Sequence, residues 1–155
     1  MGHTQHNTEE HFLNGDNIAI RIRAYRDSDY PAVKKVLVDG GLFDKVWDRR
    51  SNLSKKRAYN SRSVLVAVSG KDVVGTVYVS YDGWEGFIYR LAVLHTFREK
   101  GTGTLLMRSA ERELRRLGAR EVAIFVDAKN SGLHKYYKKR GYKLSRMWRS
   151  MWKRL

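Results

Sequence analysis

The sequence predicts a mixed α/β fold, with a sheet of six to seven strands flanked by about four helices. Short apolar runs with the periodicity of strands recur along the chain, and amphipathic segments with the periodicity of helices separate several of them. The 155 residues suffice for one domain with its own core and leave little room for a second. We expect residues 1–17 to be a polar, flexible N-terminal extension and residues 18–155 to be the single domain.

The first part of the domain is predicted to run strand, helix, helix. Ile18 to Ala24 alternates apolar and basic residues, as a strand with one buried face does. Asp27 or Ser28 can cap a helix that Gly40-Gly41 ends. A second helix with flanking loops is expected within the basic stretch from Asp44 to Asn60.

The rest of the domain is predicted to contain a hairpin, further strands and two helices. Strands at 63–68 and 73–79 are separated by a short turn, which predicts an antiparallel hairpin. The run 122–126 is continuously apolar, as expected of a central strand covered on both faces. The other predicted elements are a strand at 87–93, a helix at about 101–117, a short helix at 130–140 and one or two strands in the tail 142–155.

The composition is that of a globular chain with a strongly basic surface. The formal net charge of +15 would attract polyanions at low salt, but the basic residues are spread along the chain, which also describes an enzyme with an anionic cofactor. No apolar run reaches the roughly 18 residues that span a membrane, and residues 1–17 lack a signal-peptide core, so we expect a cytoplasmic protein without a membrane partner. The chain has no cysteine and its N-terminal histidines lack ligand spacing, so we expect no metal.

The most specific feature is a basic, glycine-bearing loop between a predicted strand and a predicted helix. Its residues are Arg98-Glu99-Lys100-Gly101-Thr102-Gly103-Thr104. Glycines let the backbone bring successive N–H groups close to a ligand, and a helix N-terminus favours an anion. A dinucleotide-binding loop would need a third glycine where Leu106 stands, and a Walker loop would need Gly-Lys-Ser/Thr. The loop therefore predicts a different kind of phosphate site.

Two motifs resemble the signatures of the GNAT acetyltransferase superfamily. Leu91-Ala92-Val93 followed by Arg98-x-x-Gly101-x-Gly103 resembles the central signature, and Asn130-x6-Tyr137-x3-Gly141-Tyr142 resembles the second. The resemblance covers residues 18–155, is specific over 88–142 and weakens over 39–60. It is closest to ribosomal-protein-type and small uncharacterised bacterial members. It implies a GNAT fold and an N-acetyltransferase that moves an acetyl group from acetyl-CoA to a primary amine, by direct attack in a ternary complex.

The resemblance also implies where acetyl-CoA lies. The cofactor would occupy a wedge where strands 87–93 and 122–126 splay apart. The pantetheine arm would pair with the backbone of Leu91 and Val93, and the Val93 N–H would stabilise the oxyanion of the transition state. The residues implied to bind the cofactor are Leu91, Ala92, Val93, Arg98, Glu99, Lys100, Gly101, Thr102, Gly103, Thr104, Asn130 and Tyr137.

The resemblance implies a residue for the general acid more clearly than one for the general base. Tyr137 matches the tyrosine that protonates the departing thiolate, although it could instead pack in the core while Asn130 only caps its helix. Some members carry a catalytic glutamate where this chain has Phe87, which puts a direct carboxylate base in doubt. Glu85 would lie on the same face if the strand extends that far and could act through a water, or it could be a solvated loop carboxylate.

The acceptor is expected to contact residues 42–62 and 81–86, the segments that usually select acceptors in this family. The first segment is rich in lysine and arginine, so we hypothesise an acidic peptide or a small amine bearing a carboxylate or phosphate. A solvated basic face without a partner is the alternative. A protein N-terminus is the leading acceptor class.

Two other function classes stay open at this point. A nucleic-acid-binding module would use the net charge and the aromatic and basic tail around Trp148 and Trp152, although that tail also alternates as an amphipathic strand does. A GNAT fold that binds CoA without turnover is the second. The oligomeric state is not readable, although the tail could supply the edge of a dimer.

Overall fold

A computed structural model describes residues 10–13, 18–145, 151 and 153. The chain divides into two compact units, one ending at Ile124 and one beginning at Phe125. The first unit contains the sheet and three helices, and the second contains a single helix in the part that the structure describes.

The sheet of the first unit has its six described strands in chain order. The strands are β1 (Glu10–Leu13), β2 (Ile18–Ala24), β3 (Val64–Ser69), β4 (Asp72–Tyr81), β5 (Gly86–Val93) and β6 (Val122–Ile124). All neighbours are antiparallel except β5 and β6, which are parallel. The mixed α/β architecture predicted from the sequence is confirmed.

The described residues form four α-helices, three in the first unit and one in the second. They are α1 (Tyr30–Asp39), α2 (Arg50–Tyr59), α3 (Thr102–Leu117) and α4 (Ser131–Lys138). Short 3-10 turns at Asp27–Asp29 and His95–Phe97 precede α1 and follow β5. The long α3 crosses from the end of β5 to the start of β6, as the parallel pairing of these two strands requires.

The three helices of the first unit cover both faces of its sheet. On one face, Leu37 of α1 and Leu53 of α2 are buried in a cluster with alternate residues of β3 and with Tyr78. On the other face α3 approaches closely, because a Cβ on Gly75 would lie 2.9 Å from Leu106 Cδ1. The same Cβ would lie 3.2 Å from the Ala92 carbonyl oxygen, so a larger residue at position 75 would require the Leu106 side chain and the neighbouring strand to shift.

Three sequence predictions need correction or completion. The strand predicted at 122–126 is wrong as a buried central strand, because β6 ends at Ile124, its residues are half-buried and the next side chain, Phe125, is 85% exposed. Within the predicted N-terminal extension, Glu10–Leu13 pairs with the edge of β2, which alternation alone did not reveal. Of the strands predicted in the tail, residues 142–145 have no regular structure and most of the remainder lies outside the described residues.

Candidate active site

Strand β5 continues beyond its pairing with β6. The two strands pair only from Gly86↔Val122 to Ile88↔Ile124, and β5 then runs on to Val93. No other described strand pairs with this edge of β5. The backbone from Tyr89 to Val93 therefore offers hydrogen-bonding groups to an extended ligand in place of a neighbouring strand.

The open part of β5 contains a β-bulge. Thr76 pairs with Ala92 and Tyr78 with Tyr89, so two residues of β5, Arg90 and Leu91, lie opposite one residue of β4. Arg90 has a φ of 54°, which side-chain-bearing residues seldom adopt. A bulge of this kind bends the strand and turns it away from its neighbour.

The loop after β5 is fixed by a network at the C-terminal end of α1. The Asp39 carboxylate accepts hydrogen bonds from the His95 backbone N–H at 2.9 Å and from Arg98 Nη2 at 2.7 Å, and it contacts His95 Nδ1 at 2.9 Å. The hydrogen bond with the His95 side chain is the main reason that the pKa of Asp39 lies below its usual value. Arg98 Nε donates to the Val93 carbonyl at 2.8 Å.

Arg98, one of the residues implied to bind the cofactor, has a structural role in this network. Its guanidinium is paired with Asp39 and holds the end of β5, so the side chain fixes the path of the loop. Its contact with the cofactor stays a prediction.

The loop after β5 leads directly into the N-terminus of α3. Glu99 and Gly101 both have left-handed backbones, with φ of 63° and 92°, and the first helical hydrogen bond runs from the Leu105 N–H to the Gly101 carbonyl. The N–H groups of the first turn have no partner within a helix, so those of Thr102 and Gly103 can serve an anion. The side-chain hydroxyl of Thr102 is fully buried and has no partner among the described residues.

The face of β5 toward α2 carries polar side chains beside the bulge. Lys56 of α2 donates to the Tyr89 hydroxyl, and the Tyr89 ring contacts that of Tyr78 edge to face at 5.7 Å. Lys56 also lines a cleft of about 620 Å³. The cleft lies between residues 55–63 and the end of β4 with its loop at 79–83, and Leu117 completes its lining. These segments overlap those that the sequence analysis expected to contact the acceptor.

Glu85 lies in the loop directly before β5. Its place on the strand face depended on the strand extending that far, but β5 begins at Gly86, and the Glu85 N–H donates to Asp82 Oδ1 at 2.9 Å. A general base must reach its proton directly or through one water, and the role of Glu85 as that base stays a prediction.

The second signature lies in the second unit. Asn130 caps α4, because its Oδ1 accepts the Leu133 N–H at 3.0 Å. The ring of Tyr137 contacts those of Tyr136 and Tyr142 edge to face, at 5.1 and 5.7 Å between centroids. Burial raises the pKa of Tyr137, so its phenol keeps its proton at neutral pH.

Some of the predicted features lie outside the described residues or find no support within them. The tryptophans Trp148 and Trp152, on which the nucleic-acid alternative relies, are not among the described residues. In the part of the chain that the structure describes, no group of three or more acidic residues and histidines forms a metal site, and no helix is long and apolar enough to cross a membrane.

Sequence reasoning missed three residues that shape this region. Asp39, Asp48 and Arg90 make ion pairs that hold the bulge and the loop after it. Each partner lies more than forty positions away in the chain, so no local pattern could have identified the pairs. Arg90 stands directly before the Leu91-Ala92-Val93 motif, but nothing in the sequence distinguishes it from other basic residues.

Comparison with known proteins identifies the family. Residues 23–142 match the model of the Acetyltransferase (GNAT) family, which is most of the chain. The protein therefore belongs to the GNAT acetyltransferase family. The acyl donor of this family is acetyl-CoA, and the open edge of β5 and the helix N-terminus that follows are suited to its pantetheine arm and its phosphates.

Solved structures share the fold at low sequence identity. Ard1 from Thermoplasma volcanium is 23% identical with a TM-score of 0.72, and the match covers 82% of this chain and 84% of that one. The PaiA N-acetyltransferase from Thermoplasma acidophilum in complex with coenzyme A is 20% identical with a TM-score of 0.70, over 81% and 91% of the two chains. The ribosomal-protein-S18-alanine N-acetyltransferase from Escherichia coli is 15% identical with a TM-score of 0.68, over 82% and 79%.

Proposed function

We propose that the protein transfers the acetyl group of acetyl-CoA to a primary amine, with a protein N-terminus as the leading acceptor class. The observation that carries the proposal is the opening of the sheet at the bulge of β5, directly before the glycine loop and the N-terminus of α3. The unpaired edge of β5 can hydrogen-bond the amides of the pantetheine arm of acetyl-CoA. The backbone N–H groups at the N-terminus of α3 can bind its pyrophosphate.

The proposed chemistry is direct attack. The amine nitrogen bonds to the thioester carbonyl carbon, the C–S bond breaks, and the amine releases to solvent a proton that balances the one taken up by the CoA thiolate. The backbone N–H of Val93 is proposed to stabilise the developing oxyanion, and Tyr137 to protonate the CoA thiolate. Glu85 is left out of this scheme because it lies before the start of β5 rather than on the strand.

The charge of the acceptor cleft supports an acceptor with negative charge near its amine. Lys55 and Lys56 line the cleft, and Lys55 is exposed without a partner among the described residues. An α-amine also fits a site without an assigned base. Its pKa near 8 leaves roughly a tenth of it neutral at pH 7, against less than about 0.1% of a lysine side chain with a pKa near 10.4.

Acetyl-CoA binding tests the proposal most directly. Calorimetry at low salt would compare the wild type with Gly103→Trp, which places bulk in the first turn of α3, where the phosphates are proposed to bind. Arg108→Trp is the control, because it places the same indole at an exposed position further along the same helix. We expect micromolar binding in the wild type and the control, and loss of binding in Gly103→Trp.

Wild-type binding would justify a screen of peptide and small amines by release of free CoA. No binding at low salt, where a basic protein holds an anionic ligand best, would overturn the proposal. Binding that survives unchanged in Gly103→Trp would place the phosphates elsewhere.

A further inference from the structure

The bulge of β5 has an unusual backbone at a residue with a long side chain. Arg90 adopts the left-handed conformation, with a φ of 54°, in the middle of a strand. Such a conformation persists in a non-glycine residue only where the surrounding structure imposes it. The contacts of Arg90 should therefore include the group that holds it.

That group is a buried carboxylate from the segment between α1 and α2. Arg90 Nε donates to both oxygens of Asp48, at 3.1 and 3.0 Å. The Asp48 side chain is only 2% exposed, whereas that of Arg90 is 27% exposed. A carboxylate so deeply buried needs its cationic partner, so the pair resists separation.

Asp48 also fixes the segment that carries it. Its Oδ2 accepts the Asp44 N–H at 2.8 Å, and Asp44 Oδ1 in turn accepts the N–H groups of Val46 and Trp47 at 2.7 and 2.9 Å. The ion pair therefore joins two parts of the proposed site, the segment 44–48 on the acceptor side and the strand backbone on the acetyl-CoA side.

We propose that Asp48 and Arg90 are positioning residues, which hold the β5 bulge in its left-handed conformation and thereby align the backbone of Leu91 to Val93 with the acetyl group. This inference rests on the proposed acetyl transfer. Neither residue is a proton carrier in it. The pair acts by geometry, and a displacement of about 1 Å at the reacting groups can cost about 100-fold in rate.

We call the Asp48–Arg90 ion pair the clamp. Asp48→Asn tests it, and Glu113→Gln is the matched control. The Glu113 side chain is likewise only 2% exposed and pairs with Arg62 and Arg116, but it lies on α3 rather than against the bulge. Two readouts are needed for each variant: kcat and KM for acetyl-CoA with a saturating amine, and amide hydrogen exchange over residues 89–93.

We expect both variants to lose thermal stability, because each removes a buried charge from an ion pair. Only Asp48→Asn should lower kcat, by about 10- to 100-fold, with less than about a threefold change in KM, because the phosphate loop keeps its own contacts. Only Asp48→Asn should accelerate amide exchange over residues 89–93.

A second pair of variants separates the clamp from general stabilisation. With Asp48→Asn as background, Arg90→Gly and Arg90→Ala both remove the guanidinium, but glycine adopts a positive φ without the Cβ clash. If the clamp serves to hold the left-handed conformation, the Arg90→Gly double variant keeps a kcat at least about fivefold above that of the Arg90→Ala double variant.

The outcomes distinguish this inference from the proposed function. Wild-type turnover with an unchanged kcat and unchanged exchange in Asp48→Asn would overturn the clamp and leave acetyl transfer standing. Equal effects of Asp48→Asn and Glu113→Gln on kcat and exchange would contradict a positioning role and would mean that the Asp48–Arg90 pair only stabilises the fold. If the wild type lacks turnover, the proposed function fails, and unchanged exchange over 89–93 in Asp48→Asn would overturn the clamp as well.

Discussion

At the scale of single residues, the packing of Tyr137 is compatible with the acid role proposed for it. Its ring lies against Tyr136 and Tyr142, and burial raises the pKa of its hydroxyl. An acid must hold its proton until the leaving group needs it. Because burial raises the pKa of Tyr137, its phenol stays protonated at neutral pH, and titration of Tyr137 should not limit activity there.

Tyr137→Phe should lower kcat by about 100- to 10,000-fold, the range that a positioned general acid contributes. Phenylalanine keeps the aromatic contacts, so the Kd for CoA should stay within about twofold. Steady-state release of CoA gives the first quantity and calorimetry the second. A variant with full turnover would mean that Tyr137 only packs, whereas a wild type that binds CoA without turnover would favour a binding protein.

At the scale of elements, α3 joins the glycine-bearing loop after β5 to the body of the sheet. It begins after Gly101 and ends at Gly118, both in the left-handed conformation, with φ of 92° and 101°. Between them, one side of the helix is buried against the strands. The buried residues are Thr102, Leu106, Met107, Ala110, Glu113 and Leu114. The position of its N-terminal amides therefore depends on packing along its whole length.

Gly118→Ala should lower the free energy of unfolding by about 1–2 kcal/mol, because alanine is strained in the left-handed conformation that ends α3. Urea unfolding would measure the change. The control is Gly132→Ala, at a helical glycine without a positive φ, where alanine should be neutral or slightly stabilising. An equal loss in both variants would contradict the explanation from the helix cap.

At the scale of the whole molecule, the net charge of +15 is only partly committed to internal contacts. Within the basic segment 45–62, Arg57 pairs with Asp27, and Arg62 pairs with Glu113. Lys56 bonds Tyr89, while Lys55 keeps an exposed ammonium beside the cleft. Part of the positive charge therefore stays exposed, and Lys55 and Lys56 place some of it at the cleft proposed to receive the acceptor.

Acceptor peptides that differ only in charge should reveal this selection. We expect kcat/KM at low salt to be about 3- to 10-fold higher for a peptide with acidic residues after its free α-amine than for one with lysines, since exposed pairs contribute about 0.2–1 kcal/mol each. Lys55→Glu should remove the preference. Lys35→Glu, at an exposed lysine of α1, is the control and should keep it. An identical kcat/KM for both peptides in the wild type would contradict the proposal of an anionic acceptor.

Local sequence patterns predicted most of the elements correctly. The strand Ile18–Ala24 has the predicted bounds, and α3 ends at Leu117 as its apolar period and Gly118 indicated. Periodicity failed for residues 122–126, where five apolar residues predicted a central strand and only three form one. An apolar run indicates a preference for burial. It does not predict the length of the strand, which depends on how far the neighbouring strand offers backbone hydrogen bonds.

The sequence by itself determined the fold class and the family, because the periods of strands and helices and the two signature motifs are local properties of the chain. Only the tertiary structure decided which residues pair across the chain: Arg98 pairs with Asp39, 59 positions away, and Arg90 pairs with Asp48, 42 positions away. It also decided that Glu85 lies in the loop before β5 and outside the strand. The physical reason is that a helix or strand brings together residues two to four positions apart, whereas the contacts that shape this site form only after sheet register and helix packing are fixed.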